Sequence, residues 1–196
     1  MNISDNKIYF VTGNPHKFKE VSKFFQGKEL NYQLKHSTLE TVEIQADTLE
    51  EIVRFKLESV KEEINDSFFV EDAGFFIDSP LKGFPGPYSS YVFNTIGNQG
   101  ILKLITDFNE TRAHFEAVIA LYLKPFNKIS IFKGLALGRL SEVIKGERGF
   151  GFDPIFIPNE YPDKTFAELT ASEKNKISHR GRAIKKLFQV LKSAKI

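Results

Sequence analysis

Four groups of residues in this chain have the types and spacing to handle an anionic, planar ligand. The first is Thr12-Gly13-Asn14-Pro15-His16-Lys17. Glycine lets backbone N–H groups approach a ligand closely. Asparagine caps a helix and proline fits its first turn. The positive end of that helix attracts anions, and Lys17 adds a full charge. The Gly-x-x-x-x-Gly-Lys spacing of a Walker A loop is absent, and the same residues also read as an ordinary strand–helix turn. The second group is Glu43 with the adjacent pair Glu71-Asp72. Their hard oxygens suit Mg²⁺, which would relieve their mutual repulsion. The third is Gly149-Phe150-Gly151-Phe152-Asp153. Glycines flanking an aromatic can offer its face to a planar ligand, although a phenylalanine in such a turn also plugs cores. The fourth is Lys174 with His179 and Arg180. All three donate hydrogen bonds when protonated; an exposed basic helix face is the plain alternative.

The elements that must position these groups can be read in order. Lys7–Val11 has the length of one buried strand. Asn14 then opens a helix with Phe18, Val21, Phe24 and Phe25 on one face and Gly27 closing it. Leu30–His36 alternates apolar and polar residues, as a half-buried strand does. Thr48-Leu49-Glu50-Glu51 is a capping box. It opens a helix with the stripe Leu49, Ile52, Val53, Leu57, Val60 and Ile64, which leaves Lys56 off the stripe and exposed. Phe68-Phe69-Val70 predicts a central strand ending at Glu71-Asp72, where open α/β sheets place ligands; Phe75–Ile77 then resumes the extended pattern. Residues 81–91 read as a turn-rich loop and 98–107 as a short helix. Ala113–Leu123 and Ile129–Leu140 predict an antiparallel hairpin turned at residues 125–128. Lys145–Asp153 is a glycine-rich loop and Pro154–Ile157 a short strand. Thr170-Ala171-Ser172-Glu173 caps a helix running toward Leu191. The sum is a mixed α/β fold with an antiparallel insertion forming a second lobe.

Composition narrows the function. The 196 residues suit one large or one two-lobed domain, with 20 Phe for a sizeable core. There is no cysteine, which excludes disulfides, thiolate zinc sites and cysteine nucleophiles. The four histidines show no His-x-x-x-His spacing and no Ser–His–Asp signature appears. No apolar run approaches the ~20 residues of a membrane span, and the first residues lack a secretory pattern, so a cytoplasmic protein is expected. The net charge is only +2, but it is unevenly spread. Residues 40–72 hold 11 acidic and 3 basic side chains, whereas residues 164–196 hold 9 basic and 2 acidic ones. These segments suit a metal and a polyanion respectively, or are two solvated helix faces.

Taken together, Thr12-Gly13-Asn14-x-x-Lys17, Glu43, Glu71-Asp72-x-Gly74, Gly83-x-Pro85-Gly86-x-Tyr88-Ser89, Phe150-Gly151-Phe152-Asp153-Pro154 and Glu173-Lys174-Asn175-x-Ile177-Ser178-His179-Arg180 resemble the inosine triphosphate pyrophosphatases. The resemblance runs from Val11 to about Leu187. It implies a single two-lobed domain over residues 1–196, with an elongated mixed β-sheet flanked by helices and a nucleotide cleft between the lobes. It also implies Mg²⁺ dependence and a homodimer. The implied activity is hydrolysis of ITP, dITP and XTP to the monophosphate and pyrophosphate. On this resemblance Thr12, Gly13, Asn14 and Lys17 would hold the phosphates. Glu43 and Asp72 would hold Mg²⁺, with Glu71 a weaker ligand, and Asp72 would also orient or deprotonate the attacking water. Phe150, within the Phe150-Gly151-Phe152 turn, would stack on the purine, while Asp153, Lys174, His179 and Arg180 would read its edge. Ala73 stands beside the substrate where a serine is common in the family, and Val42 precedes Glu43 where a proline is frequent. Two other readings remain. One is a purine-nucleotide-binding regulatory protein without turnover, against which the complete acid set argues. The other is a nucleic-acid module, against which near-neutrality argues. A small nucleoside triphosphate, and neither nucleic acid nor a membrane, is therefore the expected partner.

Overall fold

The computed structural model describes residues 6–26, 30 and 32–193; the expectations for Gly27, Asn31 and the first residues lie outside these. The chain forms a mixed α/β structure. Strand β1 (Lys7–Val11) has the predicted bounds and is followed by helix α1 (Pro15–Phe25). Strand β2 (Gln33–Ser37) starts later than the alternation suggested. Helix α2 (Leu49–Val60) has the expected capping box, Thr48 Oγ1 accepting from Glu51 N–H at 3.3 Å and Glu51 Oε2 accepting from Thr48 N–H at 3.1 Å. It stops at Val60, so Ile64 lies beyond it.

Strand β3 (Ser67–Ile77) is one continuous strand of 11 residues. Glu71 and Asp72 therefore lie inside a strand, not at the end of one. The expected loop at 81–91 contains strand β4 (Phe84–Gly86) and the start of helix α3 (Ser89–Thr95); helix α4 (Gly97–Leu104) follows. Strands β5 (Arg112–Leu123) and β6 (Lys128–Leu140) are sheet neighbours joined by one tight turn with Asn127 at φ 45°. So short a connection forces them antiparallel, as expected. A one-turn 3₁₀ segment at Asp153–Ile155 precedes strand β7 (Phe156–Pro158). The single helix expected from Thr170 to Leu191 is two: α5 (Ala171–Ile177) and α6 (His179–Ser193), interrupted where Ser178 turns to ψ 154°.

The seven strands are ordered β2-β1-β3-β5-β6-β7, with β4 on β3. β1 runs parallel to β2 (Ile8↔Leu34) and to β3 (Phe10↔Phe69), as connections through helices require. β4 is antiparallel to β3, and β7 to β6. The chain divides into two compact units. The first comprises Met1–Asp72, Val118–Lys133 and Gly181–Ile196. Its core includes Ile8, Phe10, Val21, Val53, Leu57, Phe68, Phe69, Leu187 and Leu191. The second comprises Ala73–Ala117 and Gly134–Arg180. Its core is a cluster of rings: Phe75 lies 4.7 Å from Phe115 and 5.1 Å from Phe152, and Phe156 lies 4.9 Å from Phe115 and 4.8 Å from Phe166.

Candidate active site

In the first unit, β1 delivers the chain into the Thr12–Lys17 loop. Asn14 caps α1, its Oδ1 accepting from His16 N–H at 2.9 Å and Lys17 N–H at 3.2 Å. Thr12 Oγ1 accepts from Asn14 N–H at 3.1 Å. A Cβ built on Gly13 would meet nothing within 4 Å, and its backbone is outside the left-handed region. Nothing in the fold itself demands glycine there, which is what a position reserved for a closely approaching ligand looks like.

Lys17 projects toward β3. Its Nζ lies 2.8 Å from Glu71 Oε2 and 3.5 Å from Asp72 Oδ1. The expectation for Lys56 is overturned: it is only 5% exposed. Its Nζ lies 2.6 Å from Glu43 Oε1 and 3.6 Å from Asp72 Oδ1. Asp72 thus stands between two ammonium groups, and Lys56 bridges Glu43 and Asp72. The sequence did carry a signal, since Lys56 sits midway between Ile52 and Val60 on one i, i+4 row of α2. The amine can be buried there because the carboxylates meet it; a buried charge without partners is costly.

Among the described residues no three His, Cys, Asp or Glu side chains are grouped closely enough to enclose a metal. Glu43 and Asp72 nevertheless fit Mg²⁺ chemically. Both offer hard oxygens to one cation, the Lys56 ammonium, and Mg²⁺ in phosphate sites takes one or two carboxylates plus substrate oxygens and water. Glu71 is buried and turned to Lys17, so it is the less available of the three acids.

In the second unit, Asp153 is the hub. Its Oδ2 accepts from Phe150 N–H at 2.8 Å and from Lys174 Nζ at 2.6 Å. Asp153 is 2% exposed and Lys174 6%. Gly149, at φ 78°, lets this carboxylate occupy the space a Cβ would fill. Asn98 Nδ2 donates to the Gly151 carbonyl at 3.2 Å, a support for the loop that sequence reasoning missed. Phe150 is half-buried, with Lys174 Nζ 5.3 Å and Arg180 Cζ 5.7 Å from its ring centroid. Cations at such distances are attracted to an aromatic face.

The reading of Lys174, His179 and Arg180 as an exposed basic face does not hold, for all three are buried. The break at Ser178 explains this, because it re-aims the chain so that His179 and Arg180 begin a new helix. The His179 ring stacks on Phe115 at 4.8 Å and 12°. Lys174 is set by the cap of α5: Thr170 donates to Glu173 at 2.6 Å through its hydroxyl and 2.8 Å through its N–H. Those bonds hold the Glu173 carboxyl below its ordinary value. Phe152 points into the ring core, stacked on Phe75, so only its backbone can face a ligand. Ala73 follows Asp72 in β3 and is half-buried.

A strand–turn–helix loop with an open glycine, acids interleaved with lysines, and buried donors beside a phenylalanine suit a nucleotide-handling protein. Residues 8–190 match the Ham1 family model, and the chain belongs to that family. It is 50% identical to the dITP/XTP pyrophosphatase of Pyrococcus horikoshii over 188 residues, 95% of this chain and 97% of the relative. It is 47% identical to the enzyme of the same name from Thermococcus kodakarensis, at the same coverage. Among solved structures it resembles the Ham1 protein of Staphylococcus aureus at 28% identity and TM-score 0.82, covering 97% of this chain and 100% of the other. It also resembles a HAM1 protein from Coxiella burnetii at 28% identity and TM-score 0.83, covering 96% of this chain and 100% of the other.

Proposed function

We propose that this chain hydrolyses the non-standard purine nucleoside triphosphates ITP, dITP and XTP to the monophosphate and pyrophosphate, removing them from the nucleotide pool. It is a nucleoside triphosphate pyrophosphatase, as its relatives' names indicate. The observation that carries the reading is Asp72 flanked by Lys17 and Lys56, with Glu43 on Lys56. Such a cluster carries both charges a metal–triphosphate needs: acids for the cation and amines for the phosphates.

In this reading Thr12, Gly13, Asn14 and Lys17 take the phosphates, with Lys56 a further cation beside them on Glu43 and Asp72. Glu43 and Asp72 would hold Mg²⁺, which neutralises charge on the leaving pyrophosphate. Asp72 would serve the metal first and would also orient the attacking water. Water adds to the α-phosphorus, the bond to the bridging oxygen breaks, and pyrophosphate departs. Phe150 stacks on the base. Asp153 acts chiefly by holding Lys174 and the Phe150 backbone, while Lys174, His179 and Arg180 donate to the oxo groups. A homodimer in the cytoplasm completes the proposal. No described helix is long and apolar enough to cross a membrane.

The test is a substrate panel of ITP, dITP, XTP, GTP and ATP with and without Mg²⁺, assaying pyrophosphate and orthophosphate separately. Mg²⁺-dependent pyrophosphate from the first three supports the proposal. Orthophosphate as the primary product, or binding without turnover, refutes it.

A further inference from the structure

Strand β2 grips both backbone groups of Thr12. The Ser37 carbonyl accepts from Thr12 N–H at 3.0 Å, and His36 Nε2 lies 2.9 Å from the Thr12 carbonyl oxygen. A carbonyl oxygen can only accept, so Nε2 carries the hydrogen. The ring cannot swing freely, because it lies flat on Phe18 at 4.0 Å and 14°. Phe18 leans on Phe10 at 6.5 Å, and Phe10 stacks on Phe69 at 4.6 Å. An exposed imidazole is therefore fixed by a column of rings that reaches the core of the first unit.

The peptide joining Thr12 to Gly13 is planar and trans, so its C=O and N–H point in opposite directions. Holding the carbonyl toward β2 aims the Gly13 N–H away from β2. The bond from His36 also polarises the same amide, making that N–H a stronger donor. Gly13 adds no side chain to resist rotation of this peptide, and the space beside it is open. Resting on the reading that this loop takes the phosphates, we infer that His36 is a positioning residue. It locks the Thr12–Gly13 peptide so that the Gly13 N–H is a fixed, polarised phosphate donor.

Two substitutions separate the hydrogen bond from the ring. His36→Phe keeps an aromatic on Phe18 and removes the donor; His36→Gln supplies an N–H at similar reach and removes the ring. Each is compared with the unaltered protein in kcat and KM for dITP. Each is also labelled with ¹⁵N-glycine, and the Gly13 amide is followed while inorganic tripolyphosphate is titrated in. His36→Phe should lose roughly tenfold in kcat/KM, the scale of one hydrogen bond, with little change in Tm. Its Gly13 amide should respond weakly to tripolyphosphate. His36→Gln should restore most of the rate and the response. The inference is overturned alone if Gly13 responds equally in His36→Phe and the unaltered protein, or if His36→Gln falls as far as His36→Phe. A Gly13 amide silent in the unaltered, active protein overturns the phosphate-loop reading and the inference with it.

Discussion

Replacing Lys174 by methionine probes packing and specificity together. The Lys174 Nζ and Asp153 Oδ2 are 2.6 Å apart and both residues are buried. Methionine keeps most of the stem but removes the Nζ that lies 5.3 and 5.6 Å from the Phe150 and Phe166 ring centroids, and the Asp153 charge loses its ammonium partner. Removing one member of a buried pair costs about 3–5 kcal/mol. In a protein of this size that is a fall in Tm of roughly 6–20 °C. Adding Asp153→Asn removes the stranded charge and should return part of the loss, so the two changes are not additive. On the proposed base-reading role, the same substitution removes one donor that a 6-oxo purine would satisfy and a 6-amino purine would repel. An unpaired buried donor costs about 1–3 kcal/mol, so the ITP-over-ATP ratio of kcat/KM should shrink roughly 5–150-fold. Calorimetry gives the first quantity and paired kinetics the second. An unchanged Tm would mean the pair is not buried in solution. Equal losses for ITP and ATP would place Lys174 on the phosphates and end its base-reading role.

Asp72→Asn should lower turnover by roughly 10²-fold or more at saturating Mg²⁺, measured by pyrophosphate release. Its Tm should move by only a few degrees, since Asp72 stands 3.5 and 3.6 Å from the two amines, and each keeps a closer partner, Lys17 on Glu71 at 2.8 Å and Lys56 on Glu43 at 2.6 Å. Gly13→Ala should leave Tm unchanged or slightly raised, because the new methyl meets nothing and the backbone is unstrained, yet kcat/KM for dITP should fall roughly tenfold or more. Glu173 has a folded pKa below its ordinary 4.5, so whatever stability it lends is present above that value and is lost as pH falls through the lowered folded pKa. Thr170→Ala should therefore raise the Glu173 pKa toward 4.5 in a carboxyl NMR titration.

What the sequence revealed was what is local. The run Lys7–Val11, the Asn14 cap and the Thr48 and Thr170 capping boxes are each written within a few residues, and each appears where expected. Non-local compensation stayed hidden. Lys56 looks like a surface residue in the sequence because its partners Glu43 and Asp72 lie 13 and 16 positions away. Continuity of β3 through Glu71-Asp72 was missed for the same reason: two acids inside a strand are tolerable only with Lys17 and Lys56 beside them. The break at Ser178 carries no glycine or proline to announce it, and it accounts for the burial of His179 and Arg180. Phe152 takes the alternative that the glycine-rich turn allows, a motif residue whose ring belongs to the core. His36 escaped notice because its role is a hydrogen bond to backbone, which leaves no pattern in a sequence.

Under the proposed reaction water attacks the α-phosphorus, and the fate of its oxygen reports that attack without reference to any residue. The protein is given XTP and Mg²⁺ in ¹⁸O-water, and the products are separated and weighed by mass spectrometry. One ¹⁸O in the xanthosine monophosphate, with unlabelled pyrophosphate, is the predicted result. Label in pyrophosphate, or release of labelled orthophosphate with a diphosphate product, would contradict it.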